Sequence, residues 1–246
     1  MGLQNHLERS GSWLFKHRSY LPLLVLPVFL ICLASSSYLG HSHVLNEFWQ
    51  AGCMAISFAG LALRINVVGH APYGTSGRNT RDQVAETLNT TGMYSVVRHP
   101  LYLANYLIII GFTMEFHVWW LVLLITCFYA LYYERIMLAE EVFLRARFGD
   151  VFKQWAAATP AFIPRLRGWQ PSPVPFCWRT VLQREYNAFF LIISVFFILD
   201  LIGDSIAEKH FTIDFTWFGI FIGGFAVFAT LRTLKKRTHL LTVEGR

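Results

Sequence analysis

Two short polar stretches carry the residue types that do chemistry. The first is Arg98-His99-Pro100, inside the run GMYSVVRHPLYLANY from Gly92 to Tyr106. That run is turn-like at its start and apolar after Pro100. Proline suits the first helical position, where its missing N–H costs nothing and its fixed φ matches the helix. A helix is therefore expected to start at Pro100, with His99 at its N-cap. A helix N-terminus flanked by Arg98 and His99 is a natural seat for a negatively charged group. The second stretch holds Arg135 and the pair Glu140-Glu141. We expect the two stretches to form one site. Plainer readings exist for each residue. Glu141 and Arg145 are spaced i, i+4 in the favourable order and make a solvated helix pair worth a few tenths of a kcal/mol. His99 reads equally as a simple N-cap, and Tyr102 as a membrane-belt tyrosine.

The elements that must position these residues are membrane helices. Hydrophobic residues make up 54% of the chain and mean hydropathy is +0.42, more apolar surface than a soluble domain of this length hides. Six apolar runs, 20–39, 48–68, 101–114, 118–133, 188–203 and 213–231, approach or reach the ~20 helical residues that cross a bilayer core. The fold class expected is all-α, a polytopic membrane helix bundle of about six transmembrane helices. The third and fourth runs are short and read as a tight hairpin turning at Glu115-Phe116-His117. Pro22 and Pro27 should kink the first. The first run follows a polar amphipathic opening and lacks a small-residue cleavage pattern, so a signal peptide is not expected; residues 1–19 read as an interfacial helix or as a partly ordered tail.

Lys and Arg set the orientation. The N-terminal segment, the connection after the second run, the segment 134–187 and the C-terminal tail are rich in them. The intervening connections hold only Lys209. Both termini and both polar stretches are thus expected on the cytoplasmic side. The formal net charge of +6 follows from this bias and from attraction to anionic headgroups, with no call for a nucleic-acid partner. Cys32, Cys53, Cys127 and Cys177 show no paired spacing and read as small apolar residues, with neither metal site nor disulfide. Arg64, near the cytoplasmic end of the second run, either snorkels to the headgroups or faces inward to bind an anion. Asp200 lies near an outer end, where a plain interfacial position is expected.

The chain divides into a two-span region with a cytoplasmic loop (1–86), a core of hairpin and cytoplasmic helix (87–166), and a Pro-rich linker with a second two-span hairpin (167–246). In the loop, 81–88 reads as a short helix. Past the membrane the fourth run continues as a helix over 134–148, with a stop at Phe148-Gly149-Asp150.

The core resembles the isoprenylcysteine carboxyl methyltransferase and phospholipid methyltransferase family. The matching residues are Gly92 and Tyr94, then Arg98, His99, Pro100 and Tyr102, and after the hairpin Arg135, Glu140-Glu141, Leu144, Phe148-Gly149, Phe152, Trp155, Pro160 and Pro164. The likeness covers roughly 87–164. Ala104 stands where the family usually has glycine, which alters the helix surface beside the donor. Phe152 and Trp155 stand in place of tyrosines. The resemblance implies an integral membrane enzyme using S-adenosylmethionine, with Tyr94, His99, Pro100, Leu101, Tyr102, Glu141 and Glu140 lining the donor pocket. A carboxylate suits the donor's ammonium or ribose hydroxyls, and Arg98 at the helix start suits its carboxylate. Asn105, three residues after Tyr102, is expected to flank the donor with it. Methyl transfer from a sulfonium mainly needs positioning and exclusion of water; Arg135 and Arg98 are the expected catalytic residues, with Arg135 holding an anionic acceptor.

The acceptor classes implied are an isoprenylcysteine carboxylate, a phospholipid amine, a lipid phosphate or a small thiol. A lipid would enter sideways from the inner leaflet, and short loops point to a bacterial inner membrane. Membrane sterol reductases carry a similar Arg-His-x-x-Tyr stretch and bind NADPH, but continue with residues that differ from Leu101 and Ala104-Asn105. A small channel or transporter is the non-enzymatic alternative. Against it, the ionisable residues cluster at one surface and no polar path crosses the midplane.

Overall fold

The computed structural model describes residues 3–17, 20, 24–33, 42–72 and 85–243, and among these the protein is all helical. Seven α-helices follow in order: α1 (Leu3–His17), α2 (Leu26–Leu33), α3 (His43–Gly69), α4 (Pro100–Met114), α5 (Trp119–Ala158), α6 (Trp178–Ala207) and α7 (Phe215–Arg237). Four of them, α3, α5, α6 and α7, are long and apolar enough to cross a membrane, and α4 is a shorter apolar helix. The expected spans 48–68, 101–114 and 188–203 fall within these helices, and 118–133 and 213–231 do so apart from one and two residues at their starts. Of the expected first span, Tyr20 and the stretch 24–33, including α2, are described, and 21–23 and 34–39 lie outside the described residues. The loop helix expected at 81–88 also lies partly outside them; the described flank 85–91 is not helical.

Helix α3 forms the axis of the bundle, because small residues let α4 come close. A Cβ on Gly60 would sit 2.6 Å from the Ala104 carbonyl oxygen, and one on Gly111 would meet the Ser57 hydroxyl and lie 2.5 Å from the Cys53 carbonyl oxygen. Such small-residue seams let membrane helices pack by van der Waals contact where lipid gives no hydrophobic drive. Ala104 is fully buried in this seam, so it faces α3, and the smaller family residue would serve helix approach. The other side of α3 packs on α6, around Cys53, Leu61, Ile108, Ile192, Phe196 and Trp217. The turn at Glu115-Phe116-His117 is formed as expected, with His117 at φ 56°.

Helix α5 is 40 residues long, about twice what a bilayer core requires. It does not simply stop near Gly149. That glycine takes φ 55°, ψ −124°, a conformation that disfavours a Cβ, and the chain resumes helix to Ala158. Helix α1 is docked on α5: a Cβ on Gly11 would strike the Arg135 carbonyl, and buried Phe15 joins Tyr102, Tyr129, Tyr132 and Tyr133 in an aromatic cluster. After α5 the chain folds back as a strap along the segment before α4. Arg98 and His99 donate backbone N–H groups to the Pro160 and Ala161 carbonyls (2.9 and 3.2 Å), Arg165 donates to Val96 (3.0 Å), and Gly92 to Gln170 (2.8 Å). Cys32 and Cys53 are buried and Cys127 is exposed on α5; none of the four cysteines is in a disulfide.

Candidate functional site

Helix α4 begins at Pro100 with His99 as its N-cap, yet the His99 side chain makes no capping bond. It turns instead toward α5. Its Nε2 lies 3.1 Å from Glu141 Oε1, and its Nδ1 lies 3.5 Å from Glu140 Oε2. Neighbouring helical residues point about 100° apart, and the flat imidazole, with a nitrogen on each edge, reaches both. Carboxylates facing both ring nitrogens favour the protonated imidazole. Burial alone would depress the His99 pKa, but the two carboxylates outweigh it and raise it. Tyr102, one turn into α4, donates its hydroxyl to Glu140 Oε1 at 2.6 Å. Arg98 Nε lies 3.2 Å from Glu141 Oε1 in an ion pair without hydrogen-bond alignment, and an outer nitrogen donates to the Ala156 carbonyl at 3.3 Å.

Arg98, His99, Tyr102, Glu140 and Glu141 are therefore brought together, as the sequence predicts for the two stretches. The close partners of Glu141 are His99 and Arg98, so the simple pair with Arg145 is not its main role. Tyr94 sits in a single 3-10 turn, Met93–Ser95, close enough to Glu140 that burial first, and then that negative charge, raise its phenol pKa. The turn is set by Gly92 at φ 60°, ψ −134° and by Trp155, whose indole N–H donates to the Tyr94 carbonyl at 3.0 Å. Phe152 is fully buried against Trp155, a packing position with no need of a hydroxyl. Tyr94 also borders a cavity of about 220 Å³ between the end of α3, residues 87–94 and Ser172-Pro173-Val174. Pro100 is buried at the helix start and Leu101 is half-buried beside it.

Two expected residues lie elsewhere. Arg135 is five and six residues from the glutamates, 120–140° round the helix by the rotation of about 100° per residue, and its backbone abuts α1. Asn105 does not share the cluster with Tyr102. Its carbonyl oxygen accepts from Arg64 at 2.6 Å, and Arg64 forms a two-pronged pair with Glu185 of α6, at 2.7 and 3.1 Å. Arg64 thus faces the bundle interior, and what it meets there is a carboxylate. Arg64 and Asn105 border a second cavity, about 360 Å³, whose polar end adds Arg184 and Asn187 and whose walls include Ile108, Phe112, Leu191 and Tyr133. The Tyr133 ring lies 4.8 Å from that of Tyr102, which lies 5.7 Å from the His99 ring. A short aromatic wall therefore separates the charged cluster from the apolar cavity. Sequence reading missed Glu185, because the fifth apolar run starts after it; the helix in fact begins at Trp178.

A family profile described as phospholipid methyltransferase matches residues 51–151. The nickel-cobalt-cadmium resistance protein NccN of Alcaligenes xylosoxydans xylosoxydans is 31% identical over 156 residues, covering 63% of this chain and 68% of that protein. This chain belongs to the phospholipid methyltransferase family. The profile takes in both Arg98-His99-Pro100 and Glu140-Glu141, and so the whole charged cluster. A second relative, the cobalt-zinc-cadmium resistance protein CzcN of Cupriavidus metallidurans, is 39% identical over 80 residues, covering 32% of this chain and 37% of that protein. No solved structure matches the chain. The family is one of methyltransferases, and the four long apolar helices accord with a membrane member of it.

Proposed function

We propose that the protein moves a methyl group from S-adenosylmethionine to a lipid or lipophilic acceptor at the inner leaflet, with both chain termini and the site on the cytoplasmic side of a bacterial inner membrane. The observation that carries this reading is the aromatic wall of Tyr102 and Tyr133 between a charged cluster and an apolar cavity. One side suits a charged, water-soluble donor, and the other suits a chain dissolved in the membrane.

The residues fit such a donor by charge. Glu140 and Glu141 suit its ammonium and ribose hydroxyls, Arg98 at the start of α4 suits its carboxylate, and Tyr94 and Tyr102 present rings to a sulfonium. S-adenosylmethionine supplies a methyl group already activated on sulfur. The protein's task is then to hold two partners in line and keep water out. Tyr102 and His99 hold the glutamates, and the strap of 159–177 fixes the backbone of Arg98 and His99. In the 360 Å³ cavity, the apolar walls take a hydrocarbon chain while Arg64, Asn105 and Arg184 face its polar group. That group is a carboxylate, a lipid phosphate or an amine.

The names of the two relatives suggest a setting for the activity, namely membranes exposed to divalent transition metals. Growth of a deletion strain in raised cobalt tests this setting separately from the chemistry. The chemistry is tested by calorimetric titration of the detergent-purified protein with S-adenosylhomocysteine and, separately, with NADPH. Binding of the first, followed by labelled methyl transfer into a total lipid extract, is expected. Binding of NADPH alone would make the protein a reductase.

A further inference from the structure

The opposite end of the bundle holds a second polar cluster that methyl transfer does not use. His43 and Glu47 open α3, Asp200 and Asp204 lie one turn apart near the end of α6, and Asp214 is the N-cap of α7. One side-chain donor atom from each of His43, Glu47 and Asp214 lies within 4.8 Å of the other two. His43 Nδ1 lies 3.8 Å from Glu47 Oε1, and its Nε2 lies 3.6 Å from Asp204 Oδ2. Some 21 residues of α3 separate His43 from Arg64, about 30 Å at 1.5 Å per residue, so the cluster is distinct from the methyltransferase site.

The groups behind it are mainly acidic, with neutral Gln50 and Cys53 beside them. Asp200, only 8% exposed, faces Asp204, Asp214 and His43 with Gln50 as its neutral polar neighbour, and its Oδ2 makes no well-formed hydrogen bond. Gln50, 1% exposed and two turns along α3 from His43, has neither amide atom in a well-formed hydrogen bond. Glu115, from the α4–α5 turn, faces Asp200 and Asp204 and leaves Oε2 unpaired. Carboxylates from α3, α6 and α7 thus gather around one imidazole, with Glu115 behind the α6 pair. The nearest basic side chains in sequence, Lys209 and His210, are exposed on the α6–α7 connection. Buried carboxylates are normally paired or metal-bound.

We propose that His43, Glu47, Asp204 and Asp214, backed by Asp200, bind a divalent transition-metal cation that clamps the start of α3 to the α6–α7 turn. One imidazole nitrogen with several carboxylate oxygens suits Zn²⁺, Co²⁺ or Ni²⁺, whereas all-oxygen sites suit Mg²⁺ or Ca²⁺. The arrangement lets one His43 nitrogen ligate while the other donates to a carboxylate, the usual support for a metal-bound histidine. Half-exposed His43 and Glu47 form the entry, and buried Asp204 and Asp200 the floor.

The test uses the full chain in detergent, stripped with chelator and then given CoCl₂ or ZnCl₂. The expected results are visible d–d absorption from Co²⁺ with no thiolate charge-transfer band, and a raised melting temperature with Zn²⁺. His43→Ala and Asp204→Asn should each weaken Co²⁺ binding about tenfold or more, while His239→Ala, exposed at the far end, should not. His43 is exposed, so its variant is expected to fold even if Asp204→Asn does not. Absent Co²⁺ absorption, binding retained in His43→Ala, or a thiolate band from Cys53 would each overturn the proposal.

Discussion

Arg64 and Glu185 form a two-pronged ion pair, 2.7 and 3.1 Å, between α3 and α6. Glu185 is buried, with its side chain 5% exposed, and Arg64 is 21% exposed. This pair ties the C-terminal hairpin to the family core and places α6 along one side of the apolar cavity. Removing one partner of a fully buried pair costs about 3–5 kcal/mol. Arg64 keeps some access to solvent, so Glu185→Ala should cost about 2 kcal/mol in a thermal melt. Replacing both residues by leucine should cost less than the single change; an additive loss would mean that the two charges are independent.

Glu141→Ala and His99→Ala should abolish S-adenosylhomocysteine binding while the protein remains folded. Tyr102→Phe removes one hydrogen bond to Glu140 and should weaken binding by about 1 kcal/mol, roughly fivefold. Arg135→Ala should leave donor affinity within about twofold, since the arginine lies on a different face of α5. Calorimetry on the four variants checks the set. Wild-type affinity in Glu141→Ala would remove the cluster from the donor site.

The raised pKa of His99 predicts the pH dependence of stability. Its folded value lies above its unfolded value near 6.5, because the carboxylates of Glu140 and Glu141 outweigh the cost of burial. The stabilisation is therefore complete below about pH 6.5 and is lost as pH rises through the folded pKa. The melting temperature should fall over that alkaline-going window. His99→Gln should flatten the slope; an unchanged slope would place the titration on another group.

Gly111→Ala should destabilise the bundle by about 1–3 kcal/mol, because the added methyl meets the Ser57 hydroxyl and a backbone carbonyl, neither of which can swing away freely. Gly219→Ala on α7 has open space around its Cβ and serves as the control in the same melt.

The residues at the α4 entrance were legible because their signals are local. Pro100 forbids one hydrogen bond and fixes one dihedral, and that alone places a helix start after His99. Apolar runs long enough for a bilayer likewise marked α3, α6 and α7. Arg64, Asp200 and Asn105 were less legible, for a shared reason. Each lies on a helix whose local pattern allows several rotations, and only packing chooses among them. Arg64 turned inward to meet Glu185, 121 residues away, and Asp200 is buried beside Gln50 and Asp204.

By itself the sequence determined the class of protein, the helix start at Pro100, the hairpin turn and the two polar stretches of the family, since these follow from hydropathy, proline geometry and short-range spacing. Only the tertiary structure decided that one imidazole reaches both glutamates, that Asn105 serves Arg64, and that a cavity lies behind Tyr133. Those facts depend on how far each helix is rotated about its axis, and that rotation is set by small-residue seams such as Gly60–Ala104 between elements distant in the chain.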